Sequence, residues 1–370
     1  MTKSTFCTQL TNNDRYVYGK LQACCWITRS ADLTNPIEVG KYRKWMADIK
    51  SWVPECNYCR KCEALGLTSP RLQSFERTLP DEDSIVAEFQ IDRLCNGACL
   101  ICGPYNSTTW EKYNPSPHFE IKNINTRAKN DATKHLRQVI DNLDFKKVVS
   151  LNFLGGEPLL SDTHLIIIRE LEKYKDLKDV SLNYITNGSQ LPSDEIIEIW
   201  KKFKRVVLNL SIDGTGEHFN YLRWPLQWHQ VERNLRYLMD ANIPSLKFTC
   251  SYTITPFNIY YHDEYVKWAN VFFTNLYMST NDTNLFFAKP FAASGVMNSR
   301  SIPVKLQQTV RLKYSNFQSF DQNQGHTIDK CLSPFNEQEY KKFMEYVTQQ
   351  DEKRKNNWRH VFPEISEYFK

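Results

Sequence analysis

Cys95, Cys99 and Cys102 stand in the run Cys95-Asn96-Gly97-Ala98-Cys99-Leu100-Ile101-Cys102, a C-x3-C-x2-C array directly after a strand-like stretch. Three thiolates on one short loop can hold three corners of a cubane 4Fe–4S cluster and leave the fourth iron without a protein ligand. An iron with an open position can bind and activate a small molecule, whereas a fully ligated cluster only passes electrons. Structural zinc sites close four positions, commonly from C-x2-4-C pairs. Three cysteines at this spacing, with no partner pair immediately downstream, fit zinc poorly. A second set of thiols lies within residues 1–80: Cys7 and Cys24, then Cys56 and Cys59. Gly19 in Arg15-Tyr16-Val17-Tyr18-Gly19-Lys20-Leu21 predicts a hairpin turn that brings Cys7 and Cys24 together. Two such pairs can complete a closed cluster or a zinc site, and their spacing does not separate iron from zinc.

These side chains need a frame. Strand patterns occupy 85–92, 147–154, 180–185, 205–212, 245–254 and 285–290, interleaved with helical patterns at 132–142, 163–174, 194–203, 229–240 and 259–270. Six such repeats predict an α/β fold whose parallel sheet curls into a partial (β/α)6 TIM-like barrel. One face of several strands is polar. Glu88, Gln90 and Asp92 oppose Ala87, Phe89 and Ile91, and Ser150 and Asn152 oppose Val149, Leu151 and Phe153. Asn209, Ser211 and Asp213 likewise oppose Leu208, Leu210 and Ile212. Parallel sheets covered on both faces read as continuous apolar runs, so the polar face implies a lumen that holds a polar ligand. Residues 1–80 are cysteine-dense and strand-poor, 81–295 carry the repeats, and 296–370 read as a mostly helical extension without a motif.

Barrel enzymes carry their chemistry on the loops that follow the strands. The cysteine loop follows the first strand, Gly155-Gly156-Glu157-Pro158 the second and Thr186-Asn187-Gly188 the third, while Ser211-Ile212-Asp213-Gly214 closes the fourth. Gly-Gly before Glu-Pro alone is only a tight turn; four motifs in order on successive strands are specific. Over residues 85–290 the chain resembles the radical S-adenosylmethionine (SAM) superfamily. The resemblance implies that Cys95, Cys99 and Cys102 bind a 4Fe–4S cluster whose open iron is chelated by SAM. One electron then cleaves SAM to a 5′-deoxyadenosyl radical, which removes a hydrogen atom from the substrate. The resemblance also sets Gly155, Gly156, Glu157 and Pro158 along the methionyl part of SAM, where Glu157 suits an ammonium that offers only donors. It sets Asn187 and Ser211 at the ribose or carboxylate, Ile101 on the adenine, and Asp213 at a SAM contact in preference to a general base. Arg223, in Tyr221-Leu222-Arg223-Trp224, is a candidate partner for the SAM carboxylate, with a surface salt bridge as the plain alternative. No catalytic base is identified.

Cys7-x11-Gly19-x4-Cys24 resembles the SPASM/twitch element that binds auxiliary Fe–S clusters in radical SAM maturases, here ahead of the barrel. In twitch-containing proteins a C-x2-C-x3-E-x2-G-x2-S-x-R run follows, matched by Cys56, Cys59, Glu63, Gly66, Ser69 and Arg71. The resemblance implies one auxiliary cluster, a 4Fe–4S, held by Cys7, Cys24, Cys56 and Cys59, with Cys25 and Cys62 as extras and Cys62, at C-x2-C-x2-C spacing, as an alternative ligand. Its roles are electron transfer, structural support or substrate ligation. The implied activity is oxidative modification or crosslinking of a ribosomally synthesised peptide, with flavodoxin or ferredoxin as electron donor. Radical oxidation of a small molecule or a nucleic-acid base is the alternative within the enzyme class. A non-catalytic Fe–S carrier or sensor is a rival of another class, but a carrier needs no GGEP, TNG and SIDG pocket. A zinc-binding interaction protein is a further rival.

The chain has 370 residues, enough for a large core and two or three units. Mean hydropathy is −0.54, no apolar run nears the roughly twenty residues of a membrane span, and the start lacks a signal h-region. The expectation is a cytoplasmic protein without a membrane partner. Eleven cysteines, an odd number without a secretory signal, favour metal or redox chemistry over disulfides. The net charge of +5 is spread without a Lys/Arg block, which argues against a nucleic-acid partner. Cys250 alternates with Phe248 and Tyr252 towards the helices and reads as a buried structural thiol. Cys331, His218 and His229 receive no role.

Overall fold

Five of the six strand patterns become neighbours in one sheet, each turning an apolar row towards the covering helices. The computed structural model describes residues 13–22, 24, 36–48, 52, 56–64, 69, 72, 83–104, 106–113, 124–277, 291–293, 295–315, 328–329 and 331–370. The expected strand at 285–290, together with Cys7, Cys25, Gly66 and Arg71, lies outside them. In chain order, β1 (Asn13–Val17) and β2 (Lys20–Gln22) precede α1 (Pro36–Asp48), α2 (Asn57–Ala64) and β3 (Ile85–Gln90). Next come α3 (Ile124–Asn142), β4 (Val148–Phe153), α4 (Thr163–Glu172), β5 (Ser181–Thr186), α5 (Asp194–Trp200) and β6 (Arg205–Ser211). After α6 (Gly216–Leu222) and α7 (Trp228–Asp240) follow β7 (Leu246–Ser251), β8 (Thr253–Ile254), α8 (His262–Tyr277) and β9 (Phe291–Ala292). The carboxy-terminal part is helical: α9 (Val304–Tyr314), α10 (Glu337–Arg354), α11 (Trp358–Val361) and α12 (Pro363–Ser366).

The fold is α/β. Its seven-stranded sheet runs β2-β1-β3-β4-β5-β6-β7, parallel throughout except for the antiparallel β1–β2 hairpin. Strands in chain order with helices between them put their carboxyl ends, and the loops that leave them, on one side. The alternation behaves as read: Val206, Leu208 and Leu210 are buried in β6, while Val207, Asn209 and Ser211 are half-buried. On the polar face Asn183 donates to Asn152 (2.7 Å) and Ser150 (3.0 Å), and Ser251 donates to Asn209 (2.8 Å). Cys250 is buried among the helix-facing residues, and burial pushes its thiol up to about 12.

Two features depart from the sequence reading. The hairpin forms at the expected turn, with Tyr18 and Gly19 both at positive φ (50° and 75°), but its first strand extends the sheet by pairing with β3. An in-register row of rings fixes that pairing: Tyr16, Phe89, Phe153 and Tyr184 lie opposite one another on four successive strands. Their centroids are 5.9, 5.2 and 5.5 Å apart, within the range of favourable ring pairs. The pattern at 245–254 is broken after Ser251, because the Asp213 carboxylate takes the Thr253 amide (2.8 Å). Thr253 and Ile254 pair instead with β9 in a separate two-stranded sheet. No helix among the described residues is long and apolar enough to cross a membrane.

Candidate functional site

The cysteine loop leaves β3 and is bonded by several other parts of the chain. The Ala98 and Leu100 amides donate to the Trp224 (2.7 Å) and Leu222 (2.8 Å) carbonyls at the end of α6. The following turn grips it from the opposite direction: Ser107 donates to the Gly97 carbonyl (2.5 Å), Thr109 to that of Cys95 (2.6 Å) and the Trp110 indole to that of Cys99 (3.0 Å). Asn96 joins it to the loop after β5, donating to Ser189 (2.8 Å) and accepting from Asn187 (3.0 Å). Buried carbonyls need such donors, and their number here fixes the backbone that carries the three thiols.

The Gly155-Gly156-Glu157-Pro158 loop packs on the entrance to the cysteine loop. The Glu157 amide donates to the Leu94 carbonyl (2.7 Å). A Cβ on Gly156 would overlap that carbonyl oxygen and lie 2.8 Å from the Arg93 carbonyl carbon, while Gly155 adopts φ +88° against Gln90. Pro158 starts a short 3-10 turn that Glu157 caps. Ile101 is half-buried against the core, and Ser211 ends β6 on its polar face.

Glu157 is buried and its carboxylate ties two loops together. Oε1 accepts from Thr186 Oγ1 (2.7 Å) and the Leu159 amide (3.3 Å), and Oε2 accepts from the Asn187 amide (2.7 Å). Burial pushes its carboxyl up, and the three donors pull against that shift. In Glu157→Gln an amide NH2 would face at least one of these donors. An unsatisfied buried donor costs about 1–3 kcal/mol, so the urea midpoint of the apoprotein is expected to fall accordingly at unchanged m-value.

Asp213 and Arg223 form a buried ion pair, Nη2 to Oδ2 at 2.6 Å, with Arg223 Nη1 4.0 Å from Cys99 Sγ. Arg223 is therefore no surface residue, and Asp213 is engaged by Arg223 and by the Thr253 amide. The Cys99 thiol is drawn down to about 7, chiefly by its hydrogen bond with Cys102 and also by Arg223, against the effect of burial. That hydrogen bond pushes Cys102 up, while burial and the charge of Cys99 push Cys95 up to about 12. Three thiols on one loop beside a buried guanidinium suit an anionic, thiolate-bound cluster. Among the described residues no three His, Cys, Asp or Glu side chains converge as ligands of a single ion would. A cubane takes its thiolates on separate irons and needs no such convergence.

Residues 90–270 match the family model of the Radical SAM superfamily. The matched segment contains all four strand-end loops just described. No curated protein matches the chain. Among solved structures, native anSMEcpe with bound AdoMet aligns at 16% identity over 73% of this chain and 61% of that one, with a TM-score of 0.34. Streptococcus suis SuiB bound to S-adenosylmethionine aligns at 16% identity over 89% and 62%, TM-score 0.37. SuiB bound to precursor peptide SuiA aligns at 16% identity over 90% and 57%, TM-score 0.34. The chain thus spans about three fifths of the length of these proteins.

Outside the matched segment, Cys24 lies just beyond β2, Cys56 precedes α2, and Cys59 and Cys62 are carried by that helix. Cys24 and Cys59 are buried, Cys56 and Cys62 half-buried. Two members of the matched run meet, Ser69 donating to Glu63 (2.6 Å). Sequence reasoning missed Asn96, Ser107, Thr109 and Trp110, which are polar or aromatic residues common in any loop. It also missed Tyr346 and Arg354 on α10, which donate to the Leu100 (3.0 Å) and Ala98 (2.8 Å) carbonyls.

Proposed function

We propose that the protein is a cytoplasmic radical SAM enzyme that oxidises or crosslinks a ribosomally synthesised peptide. The observation that carries the reading is the mutual bonding of the loops after β3, β4, β5 and β6 around three thiols on one strand-end loop. In this reading Cys95, Cys99 and Cys102 hold a 4Fe–4S cluster. When bound and reduced, the cluster supplies the electron that cleaves SAM and so the radical that takes a substrate hydrogen atom. Gly155, Gly156, Glu157 and Pro158 shape the wall along the methionyl group, and Asn187, Ser211 and Ile101 line the nucleoside side. Arg223 stands beside Cys99, and Asp213 keeps its guanidinium fixed. The half-buried polar face built from Ser150, Asn152, Asn183, Asn209 and Ser251 gives a polar substrate hydrogen-bonding partners. Residues 1–80 act as a twitch-type unit in which Cys7, Cys24, Cys56 and Cys59 hold one auxiliary cluster, with 81–295 as the barrel and 296–370 as an extension. A flavodoxin or ferredoxin supplies electrons.

The test is anaerobic reconstitution, iron and sulfide analysis, and 5′-deoxyadenosine formation with dithionite and SAM, on wild type and a Cys95/Cys99/Cys102→Ala variant. We expect about eight irons in wild type and about four in the variant, from two four-iron clusters, with deoxyadenosine from wild type only. Cleavage surviving in the variant would sink the reading.

A further inference from the structure

Helix α10 carries no recognisable motif, yet it delivers two side chains to the backbone that bears the thiols. Tyr346 OH donates to the Leu100 carbonyl and Arg354 Nη2 to the Ala98 carbonyl, on either side of Cys99. Arg354 is 8% exposed and lies over the rings of Trp110 and Trp224, 5.2 Å from each centroid. Both tryptophans belong to the frame of the cysteine loop: the Trp110 indole donates to the Cys99 carbonyl, and the Trp224 carbonyl accepts from Ala98. Arg354 Nε and Nη1 are buried and find no hydrogen-bond partner among the described residues. Asp351, one turn earlier, is taken by Tyr221 OH (2.8 Å) and the Trp358 amide (2.9 Å), and among the described residues no carboxylate forms an ion pair with Arg354.

A guanidinium kept from water with donors left over is costly unless an anion is near. Among the described residues its one hydrogen bond is to the carbonyl one residue before Cys99. We propose that Arg354 is a positioning residue of the cluster: it clamps the Ala98–Leu100 backbone and supplies a fixed positive charge that favours the reduced cluster. The inference rests on the cluster reading above. Thiolate ligation makes the cluster anionic and an added electron makes it more so, and net charge near a cluster sets its potential. In a site of low effective dielectric a buried cation acts over several ångströms.

The test is a redox titration, followed by electron paramagnetic resonance, of the full chain reconstituted without oxygen. The signal followed is the one that changes when SAM is added, which separates it from any auxiliary cluster. Wild type is compared with the neutral variants Arg354→Gln and Arg354→Met and with Arg354→Lys. We expect Gln and Met to lower the reduced-to-oxidised ratio at fixed potential roughly tenfold, about 59 mV for one electron. Lys, which keeps the charge, is expected to recover most of that shift. Loss of iron from Gln and Met but not from Lys supports the same role. Equal potentials in all four proteins, or a shift or iron loss as large in Lys as in Gln, overturns it and leaves the cluster reading standing. A wild type with no SAM-responsive signal overturns both.

Discussion

Gly156→Ala is expected to leave the protein folded but nearly unable to cleave SAM, with deoxyadenosine formation reduced about a hundredfold or more. The added methyl would overlap the Leu94 carbonyl oxygen and crowd the Arg93 carbonyl carbon. These are backbone atoms, so no side-chain rotation relieves the clash. Either the loop after β4 or residues 93–94 must move, and Cys95 follows immediately. Overpacking of this kind costs about 1–3 kcal/mol, which a domain of this size tolerates. Misplacing a reacting group by about 1 Å can cost about a hundredfold in rate. Gly103→Ala is the matched control, since a Cβ there meets nothing within 4 Å. Retained activity in Gly156→Ala under saturating SAM would show that the two loops are not mechanically coupled.

Breaking the Asp213–Arg223 pair from one end is expected to destabilise the apoprotein by about 3–5 kcal/mol. In Asp213→Leu the guanidinium keeps its place at 4.0 Å from Cys99 Sγ with no counter-charge. In Arg223→Met the carboxylate is left buried, where desolvation already pushes its carboxyl up. An apolar double replacement, Asp213→Leu with Arg223→Met, removes both charges, and such swaps are commonly near neutral. Urea unfolding of the four proteins forms a double-mutant cycle, and a large favourable coupling is expected. Deoxyadenosine formation should not recover with stability in the double variant. If activity returned with stability, the pair would serve the fold alone.

The legible part of this chain was the part written with short periods. Period-two alternation located β3 to β7 and separated a helix-facing row such as Leu208 and Leu210 from a polar row such as Asn209 and Ser211. Loop motifs could then be placed by order along the chain. Partnership across long separations was not legible. Tyr16 reads as one more aromatic in a hairpin, and only its opposition to Phe89 shows that β1 belongs in the sheet. Glu157 reads as a ligand for a positive group, because its three donors come from Leu159 nearby and from Thr186 and Asn187 on the next strand-end loop. Arg354 lies on a charged helix where a basic residue near the end is the default for a solvated face. Its burial depends on two indoles far away in sequence.

The row of rings that locks β1 against β3 has a consequence for handling the protein. A shortened chain beginning at residue 81 would keep every strand-end motif, yet it would strip Tyr16 from Phe89 and uncover five consecutive paired positions of β3, Val86 to Gln90. That stretch would become a bare sheet margin of alternating apolar residues, open to pairing with a second copy. Trimming the cysteine-rich beginning would therefore replace the three-residue edge strand β2 by a longer edge open to pairing.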